Sequence, residues 1–183
     1  MTATEPLRNQ RELDHPLYIP EQNAVFVGRV TDDDSEMSGM GAYYVHWRGG
    51  VYLGNYNETD SAFTPQYSTE LDERMMSEQI VAFIKMDIET ELSSIGEALL
   101  DAYEFAETGA MPDKQAHVFA LKSVNGFTRS QTATVLNVTE NTVDAQRQSA
   151  AGKADAALAF TTAYREKAGK QGEERDGESP VEH

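Results

Sequence analysis

The stretch "GFTRSQTATVLNVTENTV", residues 126–143, decides the fold of the second half of this chain. Its glycine ends one helix, and Thr128 with Gln131 three residues later forms the capping box that starts the next. Asn137 tolerates a left-handed backbone and therefore predicts a tight turn, after which Thr139 caps another helix. The stretch thus predicts two helices joined by a short turn.

The residues around this turn predict a compact unit of three helices. Asp113 is expected to cap the first helix, whose inward stripe comprises Ala116, Phe119, Ala120 and Val124. The small side chain of Ala133 suits the crossing point of two helices. The other inward positions are Val135, Leu136, Val138 and Val143. The third helix presents Glu140, Asn141, Asp144, Ala145, Arg147 and Gln148 outward, as a recognition helix in a DNA major groove does.

Residues 111–153 resemble region four of bacterial sigma factors and the related sigma-like helix-turn-helix proteins of archaea. The resemblance covers about 43 of 183 residues. The rest of a sigma factor is not recognisable, so a sigma factor as such is not expected. The matching frame comprises Met111-Pro112, Gln115, Val118-Phe119-Ala120-Leu121, Val124, Gly126-Phe127-Thr128, Ala133, Leu136, Val138-Thr139, Thr142-Val143 and Lys153.

The resemblance implies that the third helix reads base edges and that residues 128–131 hold the phosphate backbone. The implied DNA-binding residues are Thr128, Arg129, Ser130, Gln131, Thr139, Glu140, Asn141, Thr142, Asp144, Ala145, Arg147 and Gln148. Three positions depart from the family pattern. Thr132 replaces a usually apolar residue, Asp144 an often basic one and Arg147 an often apolar one. An aspartate can accept a hydrogen bond from cytosine but repels phosphate, so Asp144 weakens the DNA-binding interpretation.

The charge distribution favours DNA binding by this segment and not by the remainder of the chain. Residues 114–153 hold five basic and two acidic side chains, a net charge of +3, whereas the whole chain carries -16. The basic excess is therefore confined to the segment that is expected to meet DNA. The 31 acidic residues suit a protein from a halophilic microbe, because about 1 M salt shortens the Debye length to about 3 Å. An ordinary acidic protein is the alternative.

The first half of the chain predicts a small sheet followed by a long helix. Alternating apolar residues and a glycine turn, "RGG", predict a three-stranded antiparallel meander over residues 24–56. In residues 69–108 the apolar residues are spaced by four or three, which predicts one long helix or two consecutive helices. The face comprises Ile80, Ile84, Ile88, Leu92, Ile95, Leu99, Ala102 and Ala106. It can pair with a second chain or pack on the sheet.

We therefore expect an α+β protein, with a small antiparallel meander and a long helix followed by a C-terminal helical helix-turn-helix domain. The chain is expected to divide into four parts. Residues 1–22 form an N-terminal arm, and residues 23–108 a dimerisation or partner domain. Residues 111–167 form the helix-turn-helix domain, in which Gly152 can separate a last helix. That helix either closes the core or pairs with a second chain. The charged, glycine-bearing residues 168–183 predict a disordered acidic tail.

The motifs of an enzyme are missing from the sequence. The four histidines, His15, His46, His117 and His183, show no metal-ligand spacing, and cysteine is absent. Asp32, Asp34 and Glu36 alternate as calcium ligands do, but the glycine and glutamate of a calcium loop are replaced by Met37 and Tyr43. A solvated acidic turn fits better. The aromatic residues Tyr43, Tyr44, Trp47, Tyr52 and Tyr56 can stack bases or form a core, and core packing is the expectation.

The sequence thus predicts a non-enzymatic, sequence-specific DNA-binding transcriptional regulator without cofactor or metal. Its expected partners are double-stranded DNA and a second copy of the chain. No apolar stretch reaches membrane-spanning length and the first residues are polar, so a cytoplasmic location is expected. The alternative is a non-catalytic interaction protein, such as one of viral or plasmid origin, whose helix-turn-helix docks on a protein partner.

Overall fold

The computed structural model describes residues 7, 10–12, 15–31, 43–66, 81–82, 84 and 90–176, with side chains as far as Arg165 in the last helix. Within these residues the chain is a mixed α+β fold. The strands are β1 Arg11–Glu12, β2 His15–Pro16, β3 Tyr18–Ile19, β4 Ala24–Val30, β5 Tyr43–Trp47, β6 Gly50–Asn57, β7 Ala62–Pro65 and β8 Thr90–Leu92. The helices are α1 Ser94–Glu107, α2 Asp113–Val118 with a π-helical continuation Phe119–Val124, α3 Arg129–Val135 and α4 Glu140–Asp176.

The antiparallel meander of β4, β5 and β6 is confirmed, and it forms the centre of a larger sheet. The strand order is β3-β4-β5-β6-β7, and β8 pairs with β4 on the edge that β3 also uses. The two residues Arg48 and Gly49 join β5 to β6, with backbone φ angles of 50° and 85°. Such left-handed pairs form the tight turns whose twist matches that of antiparallel strands.

The predicted N-terminal arm contributes to the folded core in its described part. Tyr18 and Ile19 pair with β4, and the side chains of Leu7 and Leu17 are buried. The Glu12 carboxylate accepts hydrogen bonds from the backbone nitrogen and the hydroxyl of Ser94, each 2.7 Å long. A carboxylate in this position satisfies free N–H groups at the start of α1. The described residues of this segment are therefore part of the sheet and its helix.

The aromatic residues of the meander lie on both sides of the sheet, as core packing requires. Tyr44 is fully buried on the side that α1 covers. On the other side Tyr52 is buried with Phe26, and Tyr43, Trp47 and Tyr56 pack against the same cluster. The expected core role of these residues is therefore confirmed.

The helical position predicted for Leu92, in one long helix or two consecutive helices, is wrong, because this residue belongs to β8. Pairing of residues 90–92 with the edge of β4 replaces helical hydrogen bonds there, and Ser93 then caps α1. The Ser93 hydroxyl lies 2.9 Å from the carbonyl oxygen of Phe26 and 3.0 Å from that of Val27. A Cβ atom on Gly96 would collide with the Val27 carbonyl oxygen, so glycine permits this close approach.

The apolar face of α1 packs on the chain's own sheet. Ile95 and Leu99 belong to the buried cluster that contains the sheet residues, so the alternative in which this face packs on the sheet is correct for them. Ala102 is buried as well. The described residues do not include Asp32, Asp34, Glu36, Ile80 or Ile88. Because α1 uses its apolar side within the chain, this side is not available to a second copy.

One core joins the sheet to the C-terminal helices. Leu121 and Val135 belong to the same buried cluster as the sheet residues Val27 and Leu53. The predicted break between α1 and α2 is present at residues 108–112, and the cluster that contains Leu121 and Val135 extends across it. Asp113 was expected as the cap of α2 and is instead its first residue, because Pro112 occupies the cap position.

The inward position predicted for Val124 is wrong, since this side chain is 51% exposed. The chain widens into a π-helical turn at Phe119, and the backbone nitrogen of Asn125 bonds the Ala120 carbonyl at 2.9 Å. The wider turn rotates later residues away from the helical stripe. Gly126 then ends the segment with a φ angle of 73°, as predicted.

The last helix, α4, is continuous through Gly152 and ends at Asp176. Its 37 residues correspond to a length of about 55 Å. Ala150 is buried and Ala154 half-buried, whereas residues 155–165 are exposed, so this part does not close the helical core. Residues 168–176 of the predicted tail belong to the helix, and residues 177–183 lie outside the described part.

Candidate functional site

The candidate site is the exposed side of α4 near its N-terminus, and packing beneath it fixes its position. Val143, the first inward residue of α4, is fully buried against Ala133 of α3 and Val118 of α2. Val138 and Leu136 cover the edge of this cluster. Ala133 has no side chain beyond Cβ, which allows α3 and α4 to cross closely. The predicted inward roles of these residues are confirmed, apart from the half-exposure of Val138 and Leu136.

The turn between α3 and α4 has the local structure that its sequence predicts. Asn137 has a φ angle of 52°, and the backbone nitrogen of Val138 bonds the Ala133 carbonyl at 3.0 Å. The Thr139 hydroxyl accepts a hydrogen bond from the backbone nitrogen of Thr142 at 3.2 Å and caps α4. These bonds satisfy backbone groups at both helix ends and fix the direction in which α4 leaves the turn.

The start of α3 is capped as predicted. The Thr128 hydroxyl accepts from the backbone nitrogen of Gln131, and the Gln131 side chain accepts from the backbone nitrogen of Thr128. Thr132, which replaces a usually apolar residue, is fully buried, and its hydroxyl has no hydrogen-bond partner among the described atoms. The hydroxyl of buried Thr134 instead donates to the Ser130 carbonyl at 3.0 Å. The surroundings of position 132 are therefore apolar, although its threonine carries a polar hydroxyl group.

Arg129 holds three residues at the start of α4. Its Nε atom lies 2.9 Å from the Asp144 carboxylate and 3.4 Å from that of Glu140. The same atom donates to the Glu140 carbonyl at 3.2 Å, and Nη2 donates to the Asn141 side-chain oxygen at 2.9 Å. The single positive charge of the guanidinium therefore offsets part of the charge of the two acids of the candidate face. The guanidinium also turns the amide oxygen of Asn141 inward and leaves the amide NH₂ group available to a ligand.

The other residues implied by the resemblance lie together on one side of the molecule. Asn141, Asp144, Ala145 and Gln148 lie on the outward side of α4 and are exposed. Arg147 is exposed as well. It follows buried Val143 by one helical turn, so it lies at the edge of this side and not at its centre. Thr128, Thr139 and Thr142 are exposed, whereas Arg129, Ser130, Gln131 and Glu140 are half-buried.

A cavity beneath this face contains residues that the sequence did not identify as a group. It has a volume of about 460 Å³ and lies between the β5–β6 turn, α1, α2 and the inner side of α4. His46 and His117 come together here, with ring centroids 6.5 Å apart, and the Tyr103 ring lies 5.3 Å from that of His117. The two histidines are 71 positions apart in the sequence. No local spacing could have predicted that they meet.

Burial keeps both histidines uncharged. Burial lowers the pKa of His46 to about 4; the neighbouring His117 adds to this effect, and a hydrogen bond to the backbone of Val135 opposes it. Burial also lowers the pKa of His117, against the hydrogen bond that its Nδ1 makes with the Asp113 carbonyl at 2.8 Å. At neutral pH the cavity therefore contains two neutral imidazoles.

Comparison with protein-family models, curated proteins and solved structures found no match to this chain. The described residues form no group of three or more histidines and carboxylates that could hold a metal ion. Of the helices in the described part, none combines the length and the apolar character needed to cross a bilayer. Any functional proposal therefore depends on the geometry and chemistry of the face itself.

Proposed function

We propose that the protein is a sequence-specific DNA-binding transcriptional regulator of the cytoplasm, in which α3, the turn and α4 act as a helix-turn-helix. The observation that carries this proposal is the combination of a buried inner side and an open outer side in the first turns of α4. Val143 anchors the helix, while Asn141, Ala145 and Gln148 face solvent with no other described part of the chain over them. A recognition helix needs this combination, because its exposed side must enter the major groove.

The Arg129 contacts explain how a face that contains two acids can approach a duplex. Glu140 and Asp144 each form an ion pair with Arg129, so their repulsion of phosphate is reduced. Arg129 was expected to contact phosphate, and we now assign it a positioning role. The amide oxygen of Asn141 is held by Arg129, so its NH₂ group can donate a hydrogen bond to a base-edge acceptor such as adenine N7. Arg147 remains as the exposed cation of this face.

The distal part of α4 supports a dimeric form of the regulator. Leu158, Phe160 and Tyr164 are 68%, 73% and 65% exposed, which is unusual for large apolar residues on one short stretch. Residues 140–176 contain seven acidic and six basic residues, so α4 is almost neutral in a chain of charge -16. A second copy of α4 is therefore repelled far less than a second copy of the rest of the chain. Pairing two recognition helices would place them on two half-sites of one operator.

A mobility-shift experiment with genomic fragments from the source organism, over a series of KCl concentrations, tests the proposal. Asn141→Ala should weaken specific binding by about 1–3 kcal/mol, the value of a good base contact. Arg147→Ala should reduce the slope of log affinity against log salt by about 1, because one phosphate contact is lost. Arg11→Ala is the matched control, since Arg11 is an exposed arginine of β1, outside both the DNA-facing turns of α4 and its distal apolar part.

Equal DNA affinity of the wild type, Asn141→Ala and Arg147→Ala would contradict the assignment of the face. A folded wild type that binds no fragment at any salt concentration would reject DNA binding. If the same two substitutions then abolished capture of a defined protein partner, the interaction-protein alternative would be supported instead.

A further inference from the structure

The cavity beneath α4 has the size and walls of a small-molecule site. Its volume of about 460 Å³ lies at the smaller end of the range for ligand pockets, about 300–1,000 Å³. The rings of His46, Tyr103 and His117 line one part, and Val118 and Leu136 contribute aliphatic surface. Aromatic and aliphatic walls with a few polar groups favour a flat, largely apolar ligand body, because rings gain energy by stacking or edge contacts.

The polar groups of the cavity indicate the charge and the hydrogen-bonding character of such a ligand. His117 donates from Nδ1 to the Asp113 carbonyl, so its Nε2 atom carries a lone pair and acts as an acceptor. Gln146 of α4 adds an amide that can donate and accept. Among the described residues of the lining, the charged ones are Asp113 and Lys114, which have opposite signs and are exposed. The surroundings therefore offer no net charge to an ion and favour an uncharged ligand with an N–H or O–H group.

We propose that this cavity binds a small, uncharged, planar aromatic molecule with a hydrogen-bond donor, and that this molecule is an effector of DNA binding. The second part rests on the proposed function. Thr142 and Gln146 line the cavity, and both belong to the turns of α4 that carry Asn141 on the outer side and Arg147 at its edge. A ligand that contacts both α4 and the sheet hairpin binds with different affinity when α4 shifts. Ligand binding then changes the affinity for DNA, and DNA binding changes the affinity for the ligand by the same factor.

NMR with ¹⁵N-labelled protein tests the binding site directly and without DNA. Indole and 2-naphthol serve as uncharged probes with a donor, and 2-naphthoate serves as an anionic probe of similar shape. The uncharged probes should shift the amide signals of Gly49, Val118 and Gln146. The affinity for 2-naphthoate should be lower by about tenfold or more, because the cavity would have to accept an unpaired charge. Absence of shifts at these amides, or equal affinity for the anion, overturns the inference.

A pair of tryptophan substitutions provides the control. Gln146→Trp places a large side chain in the cavity, whereas Ser149→Trp places it on the exposed side of the same helix. Gln146→Trp should weaken binding of indole about tenfold or more, and Ser149→Trp by less than about twofold. Unchanged indole affinity in Gln146→Trp would contradict the site. If Gln146→Trp does not fold, the amide shifts of the wild-type protein decide the question alone.

The effector role is tested by measuring DNA affinity with and without saturating indole. Coupling should change the dissociation constant of the wild type by about fivefold or more, and Gln146→Trp should abolish the change. An unchanged constant overturns the effector role. If the probes bind as expected and no DNA binds, the proposed function fails and the cavity assignment stands. If DNA binds and no probe shifts the lining amides, the cavity assignment fails alone.

Discussion

Replacement of His46 by phenylalanine should remove a large part of the acid sensitivity of this fold. His46 is 7% exposed, and its pKa is lowered to about 4 by burial and by His117. In the unfolded chain a histidine has a pKa near 6.5. The unfolded state therefore binds a proton more readily than the folded state. The contribution of His46 is fully present above pH 6.5 and is lost as the pH falls towards 4.

The magnitude follows from the difference between the two pKa values. A shift from 6.5 to about 4 makes the loss about 3 kcal/mol once the pH lies below both values. At pH 5 about 2 kcal/mol of this is already lost. Carboxylates and other histidines titrate in both proteins, so their effects largely cancel in the difference between wild type and His46→Phe. The variant also loses the hydrogen bond to Val135, which lowers its stability at every pH.

Urea unfolding of both proteins at pH 7.5, 6.5, 5.5 and 5.0, at constant ionic strength, measures this difference. The free energy of unfolding should fall by about 2 kcal/mol more in the wild type than in His46→Phe between the first and last pH. Parallel curves for the two proteins would contradict this prediction. They would mean that the pKa of His46 in the folded state is close to its value in the unfolded chain. An NMR titration of the His46 ring in the wild type checks the same assignment independently.

Two matched pairs of substitutions test the packing in the same unfolding assay. Gly96→Ala should lower the free energy of unfolding by about 1–3 kcal/mol, because the new Cβ meets the Val27 carbonyl oxygen. Gly152→Ala should raise it by about 0.5–1 kcal/mol, since nothing lies near this position and alanine favours helix. Thr132→Val should raise it by about 1 kcal/mol by removing an unpaired buried hydroxyl. Thr134→Val should lower it by about 1 kcal/mol by removing a hydrogen bond, and equal effects of the two threonine substitutions would contradict the hydrogen-bond assignment.

Local signals predicted the turn and the caps of α3 and α4 because these structures depend on adjacent residues. The capping box of Thr128 and Gln131 and the left-handed Asn137 are present as expected. The central meander was likewise predicted from its alternation. The helix predicted at Leu92 is wrong because residues 90–92 pair with the distant strand β4, and this pairing outweighs the helical spacing. Such a long-range partner leaves no signal in the local sequence.

The composition of the candidate face was predictable, but its internal contacts were not. Spacing on a helix indicated that Asn141 and Gln148 face outward, and the structure has them exposed. The role of Arg129 depended on how closely α3 approaches α4, which no local pattern states. The same holds for the cavity, where His46 and His117 come from different halves of the chain. Sequence patterns therefore indicated the surface better than the contacts beneath it.

The proposal that the outer side of α4 reads DNA sequence is best tested by selecting bound sequences from a pool of random duplexes. The wild type should enrich one motif, with half-sites about 10 base pairs apart if the protein binds as a dimer. Folded Asn141→Ala should lose the preference at a single position of each half-site, and the control Arg11→Ala should enrich the wild-type motif. A folded wild type that enriches no motif over a range of salt concentrations would contradict the account.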